Sequence, residues 1–325
     1  MEKRIWIIDD EWPDYELEKQ VLAVLPEGVR FFYSTPGTYR QDLPQYGLLA
    51  DAVLSQIDIT VDEDFLAGLT HCQVISNYGA GYNNIDVAAA QARGIAVCYV
   101  PGYCSEDIAD YVVSAISQLN RPVTGFLPAI RAGKWGVGVV AGFAPRRLSA
   151  QTLFLVGFGH IGRVTAEKAK GLGMQVLAYS PHLTSAKARA AGVGYATLDA
   201  GLGMADYVSL HLPLNTQTQG IVNASFLAKM QPSACLINTS RGGIVDTAAL
   251  VAAVQRHDLR GAVLDVLPQE PPAATDPILQ QPGILVTPHV SYYSPEALAE
   301  LQRRAAENVL HVLQAQAGAD LVTVA

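Results

Sequence analysis

Three side chains in the second half of the chain are of the types needed to reduce a carbonyl that lies beside a carboxylate. Arg241 offers a planar cation that keeps its charge and pairs bidentately with a carboxylate. His289 is of the residue type best suited to pass a proton to a carbonyl oxygen, since histidine as a type changes charge near neutral pH. Glu270 can hold an imidazole in one orientation and favour its protonated form. Singly, each has an ordinary structural reading: a surface arginine, a solvated acid in a Pro-rich turn, a histidine after a proline. The odds change because all three lie at predicted strand ends downstream of Leu153-Phe154-Leu155-Val156-Gly157-Phe158-Gly159-His160-Ile161-Gly162. There, a strand-like run enters Gly-x-Gly-x-x-Gly and a helical pattern opens, the order of a dinucleotide fingerprint. Gly157 serves the tight turn, Gly159 bares backbone where a pyrophosphate approaches, and Gly162 lets helix pack on strand. The unpaired N–H groups at the helix start, His160 and Ile161, face the phosphate.

These residues need a scaffold, and the apolar pattern supplies one. Strand-like runs at Ile5–Ile8, Val29–Tyr33, Ala52–Leu54, Val74–Asn77 and Ile95–Cys98 alternate with helical segments such as Tyr15–Leu25. Past the fingerprint come Gln175–Tyr179, Tyr207–Leu212, Ala234–Asn238, Gly261–Leu267 and Ile284–Thr287. Such alternation predicts parallel sheets in an α/β chain. A length of 325 residues predicts two domains. After Ser105 a helix with the stripe Ile108, Val112, Ile116 and Leu119 crosses into the second domain and stops at Arg121-Pro122. Gly133–Arg147 is Gly- and Pro-rich and should be irregular. A helix capped by Ser294-Pro295 returns to the first domain with Leu298, Leu301, Ala305, Val309 and Val312 on one face. Residues 104–287 are thus expected to bind the dinucleotide, and residues 1–103 with 288–325 the substrate, in two doubly wound domains with the active site in the cleft between them. Ligands on such sheets sit outside the carboxyl ends of the strands, which singles out the loops opening at Pro213, Thr239 and Pro268 as the place for chemistry, with Pro213 and Thr239 expected to meet the cofactor. The Gly-containing turn Asn77–Asp86 could hold a small carboxylate on free N–H groups or be a plain turn.

Composition excludes several classes. A net charge of −8 with no basic cluster argues against nucleic acid or an anionic membrane as partner. Cys72, Cys98, Cys104 and Cys235 are scattered without metal-binding spacing, so neither a metal site nor a disulfide framework is expected. Asp9-Asp10-Glu11 lacks the second acceptor aspartate and later lysine of a phospho-acceptor pocket and reads as a solvated loop. The apolar run at Ile5–Ile8 is too short for a signal peptide, and no run reaches membrane-spanning length, so a cytoplasmic protein is expected. After Gln175–Tyr179, where an acid would bond the ribose hydroxyls, stand Ser180-Pro181-His182, with no arginine for a 2′-phosphate. NAD is therefore expected, with NADP left open.

Four ordered motifs then carry a resemblance over nearly the whole chain: the glycine turn, Asn238-Thr239-Ser240-Arg241-Gly242-Gly243-Ile244-Val245-Asp246, Leu264-Asp265-Val266-Leu267-Pro268-Gln269-Glu270-Pro271, and Thr287-Pro288-His289. The chain resembles the D-isomer-specific 2-hydroxyacid dehydrogenases. The resemblance implies two Rossmann- or flavodoxin-like domains and hydride transfer between a nicotinamide cofactor and a 2-oxo acid/D-2-hydroxy acid pair. It also implies Arg241, Glu270 and His289 as the catalytic set, Asp265 on the nicotinamide carboxamide, the Tyr78-Gly79 backbone on the substrate carboxylate, and a homodimer joined through the cofactor domain. Trp12-Pro13-Asp14-Tyr15-Glu16, Pro101-Gly102-Tyr103-Cys104 and His289–Ser294 look closest to the C-terminal-binding-protein-like branch, which includes corepressors. Tyr292 stands near where the corepressors carry a tryptophan after the catalytic histidine, so the substrate pocket is expected to differ from theirs. Phosphite dehydrogenases share the triad, and a nicotinamide-sensing binding protein is the alternative from another class. An intact Arg, Glu and His set favours the enzyme, because a sensor has no chemical need of all three.

Overall fold

In the computed structural model, which describes residues 1–140 and 145–323, every named strand runs parallel to its neighbours, and the strands form two sheets. The chain divides into two compact units, Met1–Tyr103 with Ser294–Ala325, and Cys104–Tyr293. The return to the first unit comes at Ser294, slightly later than the expected position 288.

The first unit holds β1 (Lys3–Ile8), β2 (Val29–Ser34), β3 (Ala52–Gln56), β4 (Val74–Tyr78) and β5 (Ala96–Cys98) in the order β2-β1-β3-β4-β5. Both faces are covered, which explains why its central strands read as unbroken apolar runs. Trp6 and Ile8 point into a core with Val53, Phe65 and Ile75. Ile5 and Ile7, one residue out of phase, join Leu22, Leu54, Leu301 and Val309 on the opposite face. The helix Pro295–Leu313 therefore completes a core begun by the first strand. The Ser294 hydroxyl accepts the Ala297 N–H at 3.0 Å, and Pro295 fills the first helical position. Helix Glu16–Leu22 ends before the expected Leu25, because Pro26 disfavours a helical Leu25; that side chain still reaches the core from a turn.

Glu18 is wholly buried on this helix. Its Oε1 accepts the Tyr78 hydroxyl at 2.7 Å, while its Oε2 has no hydrogen-bond partner among the described residues. Burial raises its pKa, only partly offset by the Tyr78 bond.

The second unit holds β6 (Thr152–Val156), β7 (Gln175–Tyr179), β8 (Gly194–Tyr195), β9 (Tyr207–Leu210), β10 (Cys235–Asn238), β11 (Gly261–Leu264) and β12 (Ile284–Val286), in the order β12-β11-β10-β9-β6-β7-β8. The chain moves outward from β6 to β8 and then restarts on its other side at β9. The switch point where ligands bind is thus the carboxyl edge between β6 and β9. Phe154, Val156, Val208, Leu210, Leu236 and Leu264 form one core, against the helices Leu198–Met204 and Thr247–Gln255. The helices Ser105–Asn120 and His160–Gly171 pack on each other, so their apolar stripes are spent inside the unit.

Four expectations need correcting here. Ser105 is the first residue of its helix, not the residue before it. β9 ends at Leu210, β11 at Leu264 and β12 at Val286. The residues expected to extend them, His211-Leu212, Asp265–Leu267 and Thr287, leave the ladder and build the loops described below. Of the expected irregular segment Gly133–Arg147, the described part carries one 3₁₀ turn, Val137–Val139, and residues 141–144 lie outside the described residues. No helix among the described residues is long and apolar enough to cross a membrane.

The buried Glu18 makes stability depend on pH in a defined direction. Its folded pKa is raised, so the folded state keeps the proton after the unfolded chain has lost it, and stability falls as pH rises above the usual glutamate range. Glu18→Gln, which still accepts from Tyr78, should raise Tm at pH 7–8 by roughly 2 °C or more. The gain should shrink toward pH 4. Thermal melts of both proteins across that range test this, and a gain independent of pH would show that Glu18 does not take up the proton.

Candidate active site

The glycine turn has the geometry its spacing suggested. Gly157 follows β6 at φ +103°, and a Cβ there would lie 2.1 Å from the His211 carbonyl oxygen, so only glycine fits. A Cβ on Gly162 would lie 2.7 Å from the Gly157 carbonyl oxygen, which is the close approach of helix to turn. Gly159 differs: it caps the helix His160–Gly171, and nothing lies within 4 Å of the Cβ it lacks. The protein does not need that glycine for its own packing, and the open space lies where a pyrophosphate would meet the first free N–H groups, those of His160 and Ile161.

The other expected cofactor residues surround the same carboxyl edge. Ser180 follows β7 and its carbonyl accepts the Leu183 N–H at 3.0 Å. Pro213 lies in the exposed loop after β9, where its carbonyl accepts the Thr218 hydroxyl at 2.5 Å. Thr239, at the end of β10, is buried, and its hydroxyl has no partner among the described residues. An orphaned hydroxyl and an unfilled glycine at the switch point are what a bound dinucleotide would use, so these residues fit one.

Asn238 shapes the loop that presents Arg241, accepting the Ser240 N–H and donating to the Arg241 carbonyl, each at 3.0 Å. Ser240 ties this loop to β9 by donating to the Leu210 carbonyl at 2.7 Å. A Cβ on Gly242 would lie 1.9 Å from the Leu267 carbonyl carbon, so backbone rests on backbone and the Arg241 loop is seated against the loop of Glu270.

Glu270 uses both oxygens: Oε1 accepts the Leu267 N–H and Oε2 meets His289 Nδ1, both at 2.7 Å. Partial burial opposes its ionisation, but the bonds to His289 and Leu267 and the charges of His289 and Arg241 outweigh it, and its pKa is lowered. With Nδ1 held, Nε2 is the imidazole atom left to carry a proton to a substrate. The His289 side chain is 28% exposed, so the ring remains accessible. Tyr292 stands edge-on to it at 6.1 Å. A cavity of about 380 Å³ lies against the pair, walled by Leu267, Pro271, Pro272, Leu279, Val286 and Pro288.

Asp265 is buried at the end of β11 and grips the loop that carries His289. Oδ1 accepts the Thr287 hydroxyl at 2.6 Å and the Val290 N–H at 3.0 Å, and Oδ2 accepts the Ser291 N–H at 2.8 Å. With three bonds accepted, one acceptor position remains for a carboxamide N–H.

In the first unit, Tyr78 ends β4 with its ring buried against Trp12. The Gly79 N–H bonds the Asn77 carbonyl at 2.9 Å, so it is not the free donor expected for a carboxylate. A Cβ on Gly79 would lie 2.5 Å from Ile57 Cγ2.

Two residues of the second unit escaped the sequence reading. His211 bonds Ser209 Oγ at 3.0 Å, and burial pushes it down to about 4, so it is neutral. Tyr111 meets Thr287, and no sequence signal marks it. Among the described residues no cluster could hold a metal.

Comparison with known proteins decides the family. The model of the D-isomer specific 2-hydroxyacid dehydrogenase NAD-binding domain matches residues 113–291. The chain belongs to this family. It is an NAD-linked oxidoreductase of 2-hydroxy and 2-oxo acids. It is 34% identical to a glyoxylate reductase of Korarchaeum cryptofilum over 80% of this chain and 79% of that one. With a D-3-phosphoglycerate dehydrogenase of Mycobacterium tuberculosis the identity is 32% over 85% of this chain, which spans only 51% of that protein. Among solved structures, a glyoxylate reductase of Paecilomyes thermophila is 26% identical with a TM-score of 0.83, covering 99% of this chain and 98% of its own.

The contact at Gly242 gives a test of the site. Gly242→Ala must push the Arg241 loop off Leu267 and should cost on the order of a hundredfold in kcat/KM while the far-UV spectrum is kept. Gly243→Ala meets only the end of the Leu214 side chain, at 3.2 Å, and should retain most of the activity. Equal loss in both variants would remove the special role of Gly242.

Proposed function

We propose that the chain reduces a short 2-oxo acid to the D-2-hydroxy acid, with Arg241, Glu270 and His289 as its catalytic set. The observation that carries this is the Glu270–His289 bond, with Arg241 on the adjoining loop. The nicotinamide, when bound, supplies the hydride to the carbonyl carbon. His289 Nε2 gives its proton to the carbonyl oxygen, and Arg241 grips the carboxylate and polarises the carbonyl. Glu270 keeps the ring oriented through its bond to Nδ1. Both expected holders of the carboxylate in the first unit, Tyr78 and Gly79, rest on the resemblance alone.

Glyoxylate is the first substrate to test, because three of the similar proteins are named for its reduction. The C-terminal-binding-protein-like branch rests on the Trp12–Glu16, Pro101–Cys104 and His289–Ser294 motifs. Ser180 in place of an acid should leave some tolerance of NADPH, since no charge repels its 2′-phosphate.

We also propose a homodimer, on different grounds from those first expected. The helices Ser105–Asn120 and His160–Gly171 cover each other, whereas Val123, Leu127, Ile130, Trp135 and Val137 are all exposed on the segment that follows, Trp135 at 85%. So much apolar surface on one short stretch suits a second copy better than water. Light scattering at micromolar concentration should give twice the chain mass, and Trp135→Ser should shift the equilibrium toward monomer. A monomer mass for the unmodified protein would overturn this.

The mechanism is tested by kinetics in both directions. Reduction needs His289 charged and oxidation needs it neutral, so reduction should fall and oxidation rise with increasing pH. Because Glu270 has a lowered pKa, the pair persists on the acid side and is lost only below the usual glutamate range. His289→Ala should lower reduction by about 10²–10⁴-fold. Arg241→Lys should cost about a hundredfold in kcat/KM. Near-normal reduction by His289→Ala would mean that another group gives the proton.

A further inference from the structure

His289 adopts a backbone conformation that histidine seldom holds, and a chain of hydrogen bonds from a distant helix keeps it there. Its φ is +55°, in the left-handed region, where a non-glycine residue persists only if its surroundings over-determine it. Those surroundings are provided by Asp265. The Asp265 carbonyl accepts the His289 N–H at 2.9 Å, and its side chain takes the N–H groups of the next two residues, Val290 and Ser291. The remaining donor to that side chain is the Thr287 hydroxyl, at 2.6 Å. A hydroxyl has one hydrogen, and the Thr287 hydrogen goes to Asp265. The Tyr111 hydroxyl, which meets Thr287 Oγ1 in a short hydrogen bond, must therefore be the donor in that contact. Burial raises the Tyr111 pKa above the usual tyrosine range, so the hydroxyl keeps its proton.

We propose that Tyr111 is a positioning residue for the proton donor, acting through Thr287 and Asp265 on the left-handed turn that aims His289. Among the described residues Tyr111 bonds neither the imidazole nor Glu270; its influence runs through the hydroxyl of Thr287. It lies on the first helix of the second unit, Ser105–Asn120, and the turn it steadies lies just before the last residue of that unit, Tyr293. The chain's entry into this unit and its exit are thus tied together at the residue that must deliver a proton. A loosened turn would let the ring swing on Glu270, and small misplacements of a reacting group are costly to rate while leaving cofactor binding intact.

The inference rests on the proposed role of His289, so the experiment separates the two. Steady-state reduction of glyoxylate with NADH is measured for the full chain and for Tyr111→Phe, Thr287→Val, Thr287→Ser, the Tyr111→Phe/Thr287→Val double variant and His289→Ala. Tyr111→Phe should lower kcat roughly three- to tenfold with little change in KM for NADH. Thr287→Val should be at least as impaired, and Thr287→Ser, which keeps the hydroxyl, should recover most of that loss. The double variant should be no slower than Thr287→Val alone, because both changes break one chain of bonds. An unimpaired Tyr111→Phe, a loss confined to KM for NADH, or effects that multiply in the double variant would overturn the proposal while an inactive His289→Ala left the site reading in place. If His289→Ala itself reduced glyoxylate normally, the failure would belong to the reading of the site.

Discussion

The second unit's chemistry depends on a contact between backbones: Gly242 resting on the peptide of Leu267 and Pro268. Parallel strands end side by side, about 5 Å apart, so the loops that leave them compete for the same space. If those loops carried side chains at the crossing, an arginine from one strand and an acid from the next would be held apart. By giving up a Cβ at Gly242, the chain lets the loop of Arg241 lie against the loop of Glu270, close enough for the two charges to influence each other. Gly157 does the same service one strand pair away, against His211. At both places, glycine removes bulk at a crossing rather than loosening the chain.

Two carboxyls, Glu18 wholly buried and Glu270 partly exposed, show how the same fold sets opposite charges. Glu18 has one hydroxyl partner and no cation beside it, so desolvation wins and its proton is retained to higher pH. Glu270 is also penalised by burial, yet a backbone N–H, an imidazole and a guanidinium in reach reverse the outcome. Burial alone therefore does not say whether a carboxyl is charged; the donors that face it do.

What could be read from the sequence was whatever is local. The glycine turn, the cap at Ser294-Pro295 and most strands are written in neighbouring residues, and the structure places them close to where the apolar pattern did. The strand ends were overread because Asp265–Leu267 and Leu212 are apolar or flanked by apolar residues, although they belong to loops whose polar groups bond each other. Arg241, Glu270 and His289 were legible as residue types at strand ends, and the expected hold of Glu270 on the imidazole is met by the 2.7 Å bond to His289 Nδ1. Tyr111 and Thr287, 176 positions apart, had no legible link at all, since pairing over such a distance leaves no periodicity to detect.

The first unit is assembled from both ends of the chain, and that has a consequence for its birth on the ribosome. The second unit, Cys104–Tyr293, is one uninterrupted segment and has all its strands once Val286 has emerged from the exit tunnel. The first unit has no such independence: Ile5, Ile7 and Leu54 share their core with Leu301, Ala305 and Val309, which are made only after the second unit. Its opening strands must wait, with an apolar face uncovered, through the synthesis of the entire intervening unit, on the order of ten seconds or more at typical elongation rates. During that interval the nascent sheet has one apolar face open to solvent, and the helix Pro295–Leu313 is the latch that closes it.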